Sequence, residues 1–290
     1  MIKPHIPIIE IMVTDACNFV CEGCTNYSDY QVSGLATWPE VKKQLLAWRE
    51  RTTFGTISLI GGEPLLHPNI REWITGIREL FPESFIQLTT NGYLLHRNID
   101  ILDVLDSVNG ALLKISAHKP DDTWFTELKN ELADKFTWHA VADHPNWLQN
   151  ENYLYMEYEY TGHFVKSYKG SLATMKPYNS DPYTAFHDTC CQQLCPVLKD
   201  GKLYKCSSMS ELKRVLTHWD HLEEPEWQKY LAYTGLDITC DDTALWEWAD
   251  NYGKHAWHCS MCPTMADEPG IAHIGNVKFK KDKKVIPITR

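Results

Sequence analysis

The chain has 290 residues, 43% of them apolar and 23% charged, with a formal net charge of −10. That length and balance exclude wholesale disorder and leave room for a large core plus an appendage. The acidic charge disfavours general binding to nucleic-acid phosphates, and no apolar run approaches the ~18 residues of a membrane span. The apolar run over 6–13 contains Pro7 and Glu10 and lacks the small-residue cleavage pattern of a signal peptide. A soluble cytoplasmic protein is expected.

The first half alternates β-like runs with helical patterns. Strands are expected over 6–13, 56–60, 84–88, 111–116 and 137–142, with a sixth over 153–160. In that sixth run Tyr153, Tyr155, Glu157 and Glu159 alternate with Leu154, Met156, Tyr158 and Tyr160. One face would line an interior where Tyr158 or Glu157 meets substrate. The first helix is expected from Thr37, where Thr37-Trp38-Pro39-Glu40 resembles a capping box with Pro in the first turn. Val41, Leu45, Leu46 and Trp48 supply its apolar face. Further helices are expected over 69–81, 98–106 and 121–136, the last carrying Phe125, Leu128 and Leu132 at helical spacing.

Repeated β-then-α order implies an α/β fold with parallel strands and right-handed crossovers. A full eight-unit barrel needs roughly 250 residues. The expectation is therefore a partial (β/α)6 TIM-like barrel over 1–185. Beyond residue 186 the chain is rich in cysteine and tryptophan and weak in periodicity. Residues 186–290 read as a small cysteine-rich C-terminal metal-cluster domain, in which ligand bonds substitute for a large core. Its tail carries Lys278, Lys280, Lys281, Lys283 and Lys284 and reads as a solvated basic segment.

The ten cysteines fall near the two ends. In a cytosolic chain such clusters point to metal or redox chemistry. Cys17, Cys21 and Cys24 follow the first strand directly, and loops after strands line the catalytic face of a parallel barrel. Three thiolates hold three irons of a four-iron cluster and leave the fourth iron open. A zinc site with a distant fourth ligand, or buried thiols, is the alternative. Gly61-Gly62-Glu63-Pro64 follows the second strand, Thr89-Thr90-Asn91-Gly92 the third and Ser116-Ala117-His118 the fourth. Paired glycines let a backbone pass close to a ligand, and Glu63 could accept hydrogen bonds from a ligand ammonium. His118 suits acid–base chemistry or a plain polar loop.

Cys-x3-Cys-x2-Cys after strand one, with Gly-Gly-Glu-Pro after strand two, resembles the radical S-adenosylmethionine (SAM) superfamily over residues 6–160. The resemblance implies that Cys17, Cys21 and Cys24 hold a [4Fe–4S] cluster whose open iron is chelated by SAM. It implies that Gly61, Gly62 and Glu63 contact the methionine moiety, Glu63 near its amino group, with Asn91 and Ser116 near the ribose or carboxylate of SAM. The residue before the third cysteine, often aromatic in that family, is here Gly23. Phe19 or Tyr27 could take over its contact to adenine. The implied chemistry is reductive cleavage of SAM to a 5′-deoxyadenosyl radical that abstracts a substrate hydrogen.

Near the other end lie Cys190, Cys191, Cys195 and Cys206, then Cys240, then Cys259-x2-Cys262. Asp200-Gly201 is a hairpin signal that folds Cys206 back toward Cys191 or Cys195. The spacing resembles the auxiliary-cluster extensions called SPASM and Twitch, over about 190–265. It implies one auxiliary [4Fe–4S] cluster on Cys206, Cys259 and Cys262, with Cys191 as fourth ligand and Cys195 or Cys190 as rivals. A structural zinc site is the alternative, and His255 and His258 are expected at its periphery. Cys240 has no assigned role. The extension suggests a peptide or protein side chain as substrate; the alternative is a sugar, nucleotide or modified nucleobase. An electron donor such as flavodoxin or ferredoxin is implied, and no membrane. A non-catalytic iron–sulfur or zinc-binding protein is the reading of another class.

Overall fold

A computed structural model describes residues 2–21, 23–28, 34–142, 144–159, 163–170, 172–267, 272–273 and 278–279. The strands are β1 (His5–Thr14), β2 (Phe19–Val20), β3 (Thr53–Gly61), β4 (Phe85–Thr90), β5 (Ala111–Ser116), β6 (His139–Val141) and β7 (His144–Gln149). Then come β8 (Leu154–Glu159), β9 (His163–Phe164), β10 (Val197–Lys199), β11 (Lys202–Tyr204), β12 (Ala272–His273) and β13 (Lys278–Phe279). Four helices fill the first half: α1 (Trp38–Arg49), α2 (Ile70–Leu80), α3 (Ile101–Ser107) and α4 (Thr123–Lys135). Four more follow: α5 (Pro182–Asp188), α6 (Ser207–His218), α7 (Pro225–Leu231) and α8 (Asp242–Asn251). Among the described residues no helix is long and apolar enough to cross a membrane.

One sheet carries the fold, in the order β11-β10-β1-β3-β4-β5-β8-β7-β6. Strands β10, β1, β3, β4, β5 and β8 run parallel, as a partial six-stranded barrel requires. Their identities differ from expectation in one respect. The run expected over 137–142 is β6, an edge strand antiparallel to β7, which is antiparallel to β8. No helix separates these strands, and a parallel connection needs a crossover of a dozen or more residues. The sixth parallel strand is β10, which arrives on the far side of β1 from beyond residue 186. The sheet therefore runs through the boundary drawn at 185/186.

The pleat divides the side chains. Ile9, Ile11 and Val13 of β1 join one core with Val41, Leu45 and Trp48 of α1, Trp73 and Ile77 of α2, and Phe125, Leu128 and Leu132 of α4. Leu198, Leu203 and Leu245 join the same core. A second core gathers Met209, Leu212 and Val215 of α6 and Trp227 and Tyr230 of α7 around Tyr27, Tyr168 and Met175. The capping box at Thr37 does not form: its hydroxyl donates to the Glu40 carboxylate at 2.6 Å and caps no backbone N–H. Of the basic tail, Lys278 pairs with Val20 and Phe279 with Phe19 beside the cysteine loop. Lys280, Lys281, Lys283 and Lys284, like Tyr160, lie outside the described residues.

Trp48 joins the two halves of the chain. It is fully buried, and its indole N–H donates to the Gly201 carbonyl in the β10–β11 turn at 2.9 Å. Trp48→Phe, which keeps most of the buried area, should lower unfolding free energy by about 1 kcal/mol. Trp48→Ala should lower it by about 3–5 kcal/mol, read from urea unfolding curves.

Candidate active site

At the C-terminal ends of the parallel strands lies a cavity of about 250 Å³. Cys17, Cys21 and Cys24 line it, as do Gly61, Gly62, Asn91, Ser116 and His118. The loop carrying the three thiols is tightly turned. Cys24 N–H donates to Cys21 O at 3.2 Å and Tyr27 N–H to Cys24 O at 3.1 Å. Gly23 between them has φ +79°, a left-handed value that glycine adopts without strain. The Cys17 sulfur accepts the Phe19 N–H at 3.4 Å and lies 3.7 Å from Asn91 Nδ2. Asn26 Nδ2 ties the loop to Gly61 O at 2.8 Å.

This donor set fits an iron–sulfur cluster: three soft thiolates at one cavity, with N–H donors on one sulfur that stabilise its charge. No cysteine among the described residues is in a disulfide. Among them no three Cys, His, Asp or Glu side chains are grouped as ligands of one metal ion.

The paired glycines have a second reason to be there. The β1–β3 ladder shifts register between Met12 and Thr14, and the two strand ends converge. Gly62 N–H donates to Thr14 O and Glu63 N–H to Ala16 O, each at 2.8 Å. A Cβ on Gly61 would stand 2.3 Å from Thr14 O, and one on Gly62 2.2 Å from Ala16 O. Any side chain would push this loop off the cysteine loop.

Glu63 is fully buried, and its carboxylate is engaged by the protein itself. Oε1 accepts from Leu65 N–H at 3.0 Å and Thr90 Oγ1 at 2.7 Å; Oε2 accepts from Asn91 N–H at 2.8 Å. Burial pushes its pKa up to about 6 against the pull of these donors. Glu63 thus fastens the loop after β3 to the loop after β4. Phe19 lines the cavity, its ring 5.9 Å from Tyr93 and 6.1 Å from His118. Tyr27 turns into the second core, with its hydroxyl 2.8 Å from Ser167 Oγ. Desolvation lowers His118 to about 4, so its ring is neutral at pH 7.

Deeper in the barrel the lining is polar. Glu10, Gln87, Thr89, Lys114 and Glu159 face the same cavity. Lys114 Nζ stands 3.0 Å from Glu159 and 3.9 Å from Glu157. Gln87 Nε2 donates to Ser58 Oγ at 3.0 Å and Thr89 Oγ1 at 2.9 Å. Burial pushes Glu10 up to about 7, while Lys114 and a hydrogen bond with Cys195 pull it down. Tyr158 packs outward on Phe125, ring centroids 6.0 Å apart, so the interior face of β8 belongs to Glu157 and Glu159. Glu10 and Lys114 escaped the sequence reading, although each is a charge at an interior-parity position of an otherwise apolar strand.

The second cysteine group forms its own site. Cys190, Cys206, Cys259 and Cys262 line a cavity of about 30 Å³ together with Phe186, Met209 and Met261. Burial pushes Cys190 up to about 12 and raises Cys206, Cys259 and Cys262 as well. Four thiols packed in an apolar wall fit a fully Cys-ligated metal centre, whose positive charge would offset the thiolates. Cys191 and Cys195, expected among these ligands, line the large cavity, and Cys190 lines the small one. Adjacent side chains at 190 and 191 diverge, so this short stretch walls both cavities. Cys240 is remote from both: its sulfur accepts from Arg51 Nη1 at 3.5 Å, beside the Arg51–Asp242 ion pair. His258 is buried at the small cavity, and His255 packs on Tyr183 at 5.2 Å.

Fold and site together define an open α/β barrel with three thiols gathered at a cavity at its strand ends. Residues 11–152 of this chain match the family described as the radical SAM superfamily, and that segment is a domain of this family. GTP 3′,8-cyclase of Microcystis aeruginosa (strain NIES-843 / IAM M-2473) is 34% identical over 102 residues, 34% of this chain and 31% of that protein. GTP 3′,8-cyclase of Chlorobaculum tepidum is 33% identical over 116 residues, 39% of this chain and 35% of that protein. The chain thus matches about a third of the length of these curated relatives. A crystal structure of BtrN in complex with AdoMet and 2-DOIA shares the fold, with TM-score 0.52 and 16% identity. That alignment covers 94% of this chain and 99% of BtrN.

Glu10 gives a pH signature. Its folded-state pKa lies above the unfolded value, so the folded chain holds the extra proton and stability falls as pH rises from 4.5 through about 7. Unfolding curves across that window should show Glu10→Gln flattening the pH dependence by about 3 kcal/mol.

Proposed function

We propose that the protein is a radical SAM enzyme acting on a small polar molecule, with an auxiliary [4Fe–4S] cluster. The observation that carries this reading is the shared cavity: the three motif thiols, the Gly61-Gly62 loop, Asn91 and Ser116 open onto a polar barrel interior. Relatives named GTP 3′,8-cyclase support a sugar- or nucleotide-like substrate. The peptide or protein substrate expected from the C-terminal extension gains no support from them and is replaced by this alternative.

Cys17, Cys21 and Cys24 would hold the SAM-binding cluster, and Cys190, Cys206, Cys259 and Cys262 the auxiliary one. When bound, the first cluster and SAM supply a 5′-deoxyadenosyl radical that abstracts a hydrogen from substrate. The chain's own residues shape what that radical meets. Asn91 holds the cysteine loop through Asn18 Oδ1 at 2.8 Å and offers its remaining edge to the ligand. Gln87, Thr89 and Ser116 present hydrogen-bonding groups to substrate from adjacent strands. Lys114 and Glu159 fix the interior charge. Phe19, Tyr93 and Trp124 form an apolar wall that keeps water from the reacting carbon. A low-potential donor of the flavodoxin or ferredoxin kind would supply the electron. We read the catalytic unit as the barrel plus β10 and β11, borrowed from the cysteine-rich region.

Anaerobic reconstitution should yield about eight irons per chain. Cys190→Ala should reduce the count to about four, whereas Cys191→Ala and Cys195→Ala should leave it near eight. Equal iron loss in Cys191→Ala would overturn the ligand set. Cys21→Ala should abolish dithionite-driven formation of 5′-deoxyadenosine from SAM, measured by liquid chromatography.

A further inference from the structure

The interior of a closed parallel barrel is ordinarily filled by branched aliphatic side chains. Here Glu10, Lys114 and Glu159 stand in such positions and line the cavity. Among the described lining residues Lys114 is the sole lysine or arginine. Its ammonium is already committed, 3.0 Å from Glu159 and 3.9 Å from Glu157. Glu10 faces the same lysine from β1. His118, the other basic lining group, stays neutral because burial lowers its pKa. Three carboxyl groups therefore stand against one cation.

A triphosphate entering this space would lose its hydration and meet like charge, with no uncommitted guanidinium or ammonium among these residues to receive it. An ammonium meets the opposite situation. We propose that the barrel interior selects a cationic, non-phosphorylated substrate, a hydroxyl-rich amine whose ammonium pairs with Glu10 and whose hydroxyls meet Gln87, Thr89 and Ser116. The proposal rests on reading this cavity as the substrate space and adds the sign of the charge it accepts. Burial holds Glu10 near 7 although Lys114 and Cys195 pull it down, and an adjacent ammonium would return it to the ionised form. The hydroxyl side is equally provided for. Gln87 donates to both Ser58 and Thr89, a polar ladder across β3 and β4 that can exchange partners with substrate hydroxyls.

Two side chains serve as reporters. Cys191 and Cys195 open into this cavity and stand outside the four-thiol set of the small one. Cys195 hydrogen-bonds to Glu10. In the holoenzyme with both clusters assembled, the rates at which Cys191 and Cys195 react with 2-aminoethyl and 2-sulfonatoethyl methanethiosulfonate can be read by peptide mass spectrometry. Relative to N-acetylcysteine, the cationic reagent should be favoured by at least about tenfold. Glu10→Gln combined with Glu159→Gln should bring the ratio toward that of N-acetylcysteine, and Lys114→Met should raise it. Millimolar GTP should leave both rates unchanged. Equal or faster reaction with the anionic reagent, protection by GTP, or no reaction with either reagent would each overturn the proposal. The wild-type ratio decides the matter even if a variant fails to fold. Formation of 5′-deoxyadenosine by the same preparation tests the enzyme reading separately. An enzyme that cleaves SAM but prefers anions is thus distinguished from a protein that cleaves none.

Discussion

The close approach of the β1 and β3 ends governs the rest of the site. Two backbone hydrogen bonds, from Gly62 to Thr14 and from Glu63 to Ala16, draw the loops together. Only glycine fits at 61 and 62, because a Cβ there would run into those carbonyls. That contact brings the three thiols over the same cavity as the strand-end polar groups. Glu63 then extends the fastening to β4 by accepting from Thr90 and Asn91. A fully buried carboxylate is unfavourable unless hydrogen-bonded; here three donors satisfy it, so its burial gives rigidity.

The two cysteine-lined cavities are kept apart by one short stretch. Cys190 faces the small cavity while Cys191 and Cys195 face the large one. β10 enters the sheet immediately afterwards, with Glu10 N–H donating to Pro196 O at 2.8 Å. The C-terminal region is thereby anchored to the first strand of the barrel, and the two candidate centres share a wall. Thr25 O receives the Ser207 and Ser208 hydroxyls at 3.2 and 3.3 Å, a second link from the motif loop to the start of α6 beside Cys206.

The interior of the barrel gives up aliphatic packing for polar lining. Such residues do not add to stability as branched side chains would: ion pairs removed from water are weak evidence for stability. The outward faces of the same strands compensate, since Ile9, Ile11, Leu88, Leu113 and Ile115 are almost wholly buried against the helices. Apolar packing and the polar cavity lining thus occupy opposite faces of one sheet, separated by the two-residue period of the β-strand.

Local pattern was enough for much of this. β-like runs located β1, β3, β4 and β5, alternation located β8, and helical patterns located α1 to α4, because each element buries a face whose pattern is written in the chain. The Cys-x3-Cys-x2-Cys spacing and the Gly61-Gly62 pair pointed to the strand-end cavity, because short loops after parallel strands all open on one side. Pairing partners and cavity membership were decided only by the tertiary structure. The hairpin of β6 and β7, the placement of β10 beside β1, and the separation of Cys190 and Cys191 into different cavities depend on contacts between residues far apart in sequence. Spacing carries no information about which side of a wall a thiol faces. The same holds for Glu63, whose carboxylate could serve a ligand or the protein until the fold set Leu65, Thr90 and Asn91 around it. Glu10 and Lys114 look like interruptions of apolar strands until closure of the sheet brings them face to face.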